Sequence, residues 1–216
     1  MVGGAQMLRE TWILADEAQR ERFSRIVLSN AEALQSVLED LLELSRTDGE
    51  ARQQRNVELP QAVAEVNRQL RELAAERSVE LRVRPDLPEI EVDAAAVELC
   101  LTNFVSNGIK YADPEVEDRW VEVAGWVDRD LPSPRLVIAV RDNGLGVPEG
   151  SRERLFERFY RAHTDDQPDI DGTGLGLSIV RDTVESLGGE AWAEFNQAKG
   201  SAFQFSLPCR REMDRS

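Results

Sequence analysis

One histidine, two cysteines and two lysines in 216 residues leave little material for several kinds of chemistry. Cys100 and Cys209 match no metal-ligand spacing, and two isolated thiols suit a reducing compartment. Any chemistry that needs an imidazole must use His163 or a histidine outside the chain. No apolar run approaches the roughly 18 residues of a membrane span. The opening "MVGGAQMLRE" lacks the basic start and apolar core of a signal peptide. Basic excess is also missing: the net charge of −15 argues against a nucleic-acid partner. Lysine is so scarce beside arginine that Lys110 and Lys199 stand out wherever they fall in a motif.

The hydrophobic fraction of 41% supports a packed core, and the length fits one domain with a smaller module. From about residue 16 to 46 the sequence reads as one long helix. Val27, Ala31, Leu34, Leu38 and Leu41 follow a heptad-like spacing, widened by Val37 and Leu44. A stripe this wide calls for partners, such as a second helix and a second chain, the alternative being a helix packed on its own domain. "SRTDGEARQQ" ends the pattern as a linker. Val63, Val66, Leu70 and Leu73 mark another amphipathic helix. "VELRVRP" and "EIEV" read as strands, and Asp93 caps a helix running to Tyr111 with Val97, Leu101, Phe104 and Gly108 on one face. "RWVEVAGWV", "RLVIAVRD", "EAWAEFN" and "SAFQFSLP" are further strands, the last two forming a hairpin. "PEGSRERLFERF" predicts a short helix, and "GLGLSIVRDTVESLGG" a helix entered through a glycine loop. The elements lack a βαβ rhythm, which predicts an α+β sandwich with helices on one face of a mixed sheet.

Three segments carry chemistry. In "LTNFVSNGIKYAD", Asn103 and Asn107 share a helix face, and Lys110 and Tyr111 follow within a turn. Amide oxygens suit Mg²⁺, which takes few protein ligands and several phosphate oxygens. Lys110 can meet a phosphate as a point charge, and Tyr111 offers a flat surface for a base. In "RDNGLGVP", Asp142 sits where the chain leaves a strand, with Gly144 and Gly146 permitting a tight turn. A carboxylate held there can accept a hydrogen bond from an adenine amino group. In "DGTGLGLSIV", Gly172, Gly174 and Gly176 precede a helix, so exposed N–H groups and the positive helix end make an anion cradle. No Lys-Ser/Thr pair follows, as in a Walker loop, and no strand precedes, as in a dinucleotide fingerprint.

In this order the segments resemble the catalytic half of sensor histidine kinases, over about residues 15–208. "LTNFVSNGIKYAD" resembles the N box, "DNGLGV" the G1 box, "RLFERFYR" the F box, "GTGLGLSIV" the G2 box, and "KGSAFQF" the final glycine motif with Gly200 in its place. "LLELSR" resembles the end of the second helix of the dimerisation and histidine-phosphotransfer hairpin. The resemblance implies a Bergerat-type ATP site in a two-layer sandwich, preceded by a hairpin forming a dimeric four-helix bundle. Asn107 would hold Mg²⁺ with Asn103 assisting, Lys110 would meet phosphate, and Tyr111 would flank the nucleotide. Asp142 would bind adenine, with Gly144 and Gly146 shaping its loop. Gly172, Thr173, Gly174, Leu175 and Gly176 would cradle the phosphates. Phe156 and Phe159 would anchor a lid, with Arg158 or Arg161 near the γ-phosphate.

The resemblance further divides the chain into a partial hairpin (1–48), a linker (49–57), a catalytic domain (58–210) and a tail (211–216). It implies a cytoplasmic MgATP-dependent protein histidine kinase, homodimeric through its N-terminal helices. An upstream sensor domain and a response-regulator receiver would be its partners. Related ATPases and serine kinases place a glutamate base where Asn103 stands, and an amide cannot take a proton. Three departures stand out: Gly108 where alanine is common, the acidic stretch "HTDDQPDID", and no H box bearing the acceptor histidine. His163, between F and G2 boxes, is misplaced for that acceptor. The expectation is transfer to a histidine upstream of Met1 or on another chain. An ATP-binding pseudokinase or scaffold is the alternative, followed by a hydrolase or serine kinase of the same superfamily.

Overall fold

A computed structural model describes residues 56–130, 133–162, 174–195 and 199–209. The predicted hairpin, most of the linker, the tail, His163, Gly172 and Thr173 lie outside the described residues.

The strongest alternating segments build the centre of a sheet. β4 (Arg119–Asp128) and β5 (Arg135–Asp142) pair antiparallel, and β5 pairs antiparallel with the last strand, Ser201–Pro208. Register puts Val123, Val140 and Phe203 in one row, and Gly125, Ile138 and Phe205 in the next. Period-two alternation therefore gives one continuous apolar face. A short strand over Glu190–Glu194 closes one edge, antiparallel to Ser201–Pro208. At the other edge lies β2 (Val79–Val83), parallel to β4. A separate two-stranded pair joins β1 (Asn56–Glu58) to β3 (Glu91–Asp93). Numbering the C-terminal hairpin strands β6 and β7, the main sheet has the order β2-β4-β5-β7-β6.

Helices cover the apolar face. α1 (Leu59–Glu76) starts with a proline in its first turn, where the missing N–H costs nothing. It buries Val63 and Val66 completely, while Leu70 and Leu73 pack at the margin. α2 (Ala94–Lys110) is capped by Asp93, whose carboxylate accepts from Ala96 N at 3.1 Å. Its predicted stripe of Val97, Leu101, Phe104 and Gly108 is buried. Phe104 lies between Phe203 and Phe205, with ring centroids 5.4 and 6.0 Å away. These aromatics fix the height of α2 over β7. α3 (Gly176–Ser186) packs beside α2 and over β6 and β7 through Val180 and Val184. The result is the predicted two-layer α+β sandwich.

Gly108 has a structural reason. A Cβ there would stand 2.8 Å from Val121 Cγ2, so the glycine lets α2 descend onto β4. The helix-propensity loss of about 1 kcal/mol is offset by this approach. It brings the C-terminal turn of α2 beside the end of β5.

Two elements differ from expectation. β1 is too short to show alternation, and it begins at Asn56, inside the stretch expected to be linker. The predicted helix around "RERLF" is a 3-10 helix over Glu149–Arg154. Isolated turns follow it, and the Phe159 amide donates to Gly174 O at 2.9 Å. Among the described residues, no helix is long and apolar enough to cross a membrane.

Candidate functional site

Asp142 occupies the last position of β5, where a side chain is held by the sheet but faces the loop beyond it. Gly144 N donates to one carboxylate oxygen at 2.9 Å, and Ser201 Oγ donates to the other at 2.6 Å. Burial raises the pKa of this carboxyl, opposed by the bonds from Ser201 and Gly144. An acidic acceptor is thus fixed in direction by both neighbouring segments.

The turn after Asp142 depends on close backbone contacts. A side chain on Gly144 would overlap the Tyr111 carbonyl, and the same carbonyl accepts from Leu145 N at 3.0 Å. Gly146 adopts φ 72° and packs against Gly200. Gly200, with φ 91°, presses on the Asp142 carbonyl so tightly that no Cβ would fit. Asn143 ties this turn to the start of β4: its Oδ1 accepts from Trp120 N at 2.9 Å and its Nδ2 donates to Asp118 O at 2.7 Å. The end of α2, the turn after β5 and the start of β7 therefore interlock around one carboxylate.

On the other side of α2 stands the N-terminus of α3. Gly176 opens that helix directly against Asn103: a Cβ would overlap the Asn103 Oδ1. Asn103 Nδ2 donates to Leu99 O at 2.9 Å. The amide is thereby anchored on its own helix and touches the first residue of α3. Asn107 is one turn further along, with Lys110 in the last turn and Tyr111 at its cap. Gly174 takes φ 71° and packs on the Phe159 backbone. Leu175 is buried and precedes α3. The positive end of an 11-residue helix thus lies beside the Asn103 amide of α2.

The remaining expected residues lie at the periphery. Phe156 is partly buried against the core, whereas Phe159 is 73% exposed with φ 64°. Arg158 pairs with Asp182 of α3 at 2.8 Å, and Arg161 is half-buried. Sequence reasoning gave no role to Ser201, Asn143 or Lys199, although the scarcity of lysine marks Lys199. A serine opening the strand directly after Gly200 was the available signal for the first. The partners of the other two lie in distant parts of the chain.

Two subsites follow. Asp142 can accept from the amino group of a purine. The N-terminus of α3, set against Asn103, can receive an anion. Gly174 and Gly176 allow backbone contacts with Phe159 and Asn103 that no side chain would permit. Among the described residues no cluster of three or more His, Cys, Asp or Glu could hold a metal by itself.

Residues 92–211 match the family model for histidine kinase-, DNA gyrase B-, and HSP90-like ATPases. The sensor histidine kinase WalK of Bacillus subtilis is 32% identical over 89% of this chain and 31% of its own length. The phytochrome-like protein Cph1 of Synechocystis is 29% identical over 94% of this chain and 26% of its own. The chain therefore spans about a third of the length of these relatives. Among solved structures, the mycobacterial sensor histidine kinase MprB aligns with TM-score 0.55 at 25% identity, over 72% of this chain and 98% of that one. The catalytic domain of histidine kinase ThkA aligns with TM-score 0.57 at 25% identity, over 71% and 96%. With fold, site order and relatives in agreement, this chain belongs to the histidine kinase-, DNA gyrase B-, and HSP90-like ATPase family, with the catalytic-domain fold of sensor histidine kinases.

Proposed function

We propose that this chain binds MgATP and donates its γ-phosphoryl group to a histidine that the chain itself does not supply. The observation that carries the reading is the doubly held Asp142 on one side of α2 and the glycine-entered α3 N-terminus on the other. Asp142 takes the adenine amino group, Tyr111 flanks the nucleotide, and Lys110 with the Gly174–Gly176 entry faces the phosphates. Asn107 offers its amide oxygen to Mg²⁺, with Asn103 holding α3 at the correct approach. Mg²⁺ would neutralise charge on the β- and γ-phosphates. Asn103, at the position where related enzymes place a base, has no proton-accepting capacity, and its Nδ2 donates to Leu99 O. A neutral acceptor imidazole is already nucleophilic, so positioning and charge neutralisation suffice.

In the full-length context the donor domain would work in a homodimer joined through N-terminal helices, below a sensor domain and in the cytoplasm. The acceptor histidine would pass the phosphoryl group to a response-regulator aspartate. One solved relative is ThkA in complex with the response regulator protein TrrA, aligned here with TM-score 0.60. The test is incubation with γ-labelled ATP, with and without a separately supplied histidine-bearing helical hairpin. Acid-labile label on the hairpin is the expected result. Nucleotide binding without transfer would make the chain a pseudokinase, and release of free phosphate alone would make it a hydrolase.

A further inference from the structure

Of the two lysines, only Lys110 has a place in the nucleotide site. Lys199 lies in the turn before β7, and its Nζ is 2.7 Å from Asp113 Oδ2. The Asp113 side chain is 4% exposed, and its other oxygen accepts from Glu115 N at 3.0 Å. Lys199, its own side chain 66% exposed, brings an ammonium to this enclosed carboxylate, and with the Glu115 amide it holds the Asp113 pKa below the ordinary carboxylate range. Lys199 also has φ 87°, a conformation disfavoured for any residue with a Cβ, and Gly200 follows at φ 91°. Two consecutive left-handed positions bend the chain so that Gly200 presses on the Asp142 carbonyl and Ser201 Oγ reaches Asp142. The ion pair holds Lys199 in that unfavourable backbone state. Asp113 stands two residues beyond Tyr111, whose carbonyl takes the Leu145 amide from the turn after Asp142. One bond thus joins the segment after α2 to the segment that aims the Asp142 carboxylate.

We infer that Lys199, paired with Asp113, is a positioning residue for base recognition: it touches no nucleotide and acts through Ser201 on the direction of Asp142. The inference rests on the proposed adenine contact of Asp142. Losing the pair frees the turn, and Asp142 loses the hydroxyl that fixes one oxygen.

The experiment measures dissociation constants for MgATP and MgADP by calorimetry, at a temperature where each variant is folded. Lys199→Met should weaken both nucleotides by the same factor, about tenfold, the value of one positioned hydrogen bond. Equal loss for two and three phosphates places the defect at the base end. Lys199→Arg should recover most of the affinity. Lys199→Met combined with Ser201→Ala should bind no more weakly than Ser201→Ala alone, a result that a purely structural role would not give. Lys199→Ala, which also removes the donor to Asp113, supplies the same comparisons if the methionine variant fails to fold. Unchanged affinity in a folded Lys199→Met or Lys199→Ala, or losses that add in the double variant, would overturn the inference. Failure of the site reading is distinguishable: the wild-type chain would bind neither nucleotide, or Asp142→Asn would bind both normally.

Discussion

Asp142→Asn separates recognition from stability. The substitution keeps size and shape, and the amide oxygen can still accept from Gly144 N. Its amide nitrogen then replaces the oxygen that now accepts from Ser201 Oγ or from the base. Loss of a hydrogen bond to a charged acceptor costs about 1.5–3 kcal/mol. A donor left facing a donor adds about 1–3 kcal/mol. The sum predicts loss of adenine-nucleotide affinity by at least about a hundredfold. Folding should respond in the opposite sense. Burial raises the Asp142 pKa in the folded state, so its protonated form is favoured there relative to the unfolded chain. The corresponding stability is present below the ordinary carboxylate range and is lost as pH rises through the raised folded value. At neutral pH the ionised carboxylate is thus a cost that asparagine removes. The variant should melt at the same temperature as wild type or higher at pH 7, with the difference shrinking on acidification. Calorimetry with MgATP and thermal unfolding between pH 3 and 8 check both halves. Unchanged affinity would refute the adenine assignment. A markedly lower melting temperature at pH 7 would refute the account of the buried carboxyl.

Asn107→Ala should remove the Mg²⁺-dependent part of nucleotide binding, read as loss of the difference between titrations with Mg²⁺ and with chelator. Gly108→Ala gains about 1 kcal/mol of helix propensity but meets Val121 Cγ2 at 2.8 Å, so it should lower the denaturation midpoint, with Val121→Ala restoring it. Phe104→Ala empties the site between Phe203 and Phe205 and should cost about 3–5 kcal/mol in chemical denaturation. His163→Ala should leave phosphotransfer to a supplied hairpin largely intact, because the acceptor is expected elsewhere; complete loss would show His163 to be part of the chemistry.

The residues proposed to meet the nucleotide carry local signals in the sequence. Asn103, Asn107 and Lys110 share a face by helical spacing, and the glycines mark the turns and the entry to α3. Asp93, Gly108 and the strand patterns placed α2, β4 and β5 before any coordinates, since caps and alternation are properties of short windows. Strand order, the parallel β2–β4 edge and the short β1–β3 pair were not legible, because pairing partners are chosen by tertiary packing. Gly108 read from sequence as a propensity loss. Only contact with Val121 shows it as the residue that sets α2 onto the sheet. The interlock around Asp142 likewise needs the fold. Ser201 is 59 residues from Asp142, and Lys199 is 86 from Asp113. Side-chain type determined which groups this chain could bring to a nucleotide. The meeting of distant backbone turns at one sheet end decided how those groups are aimed.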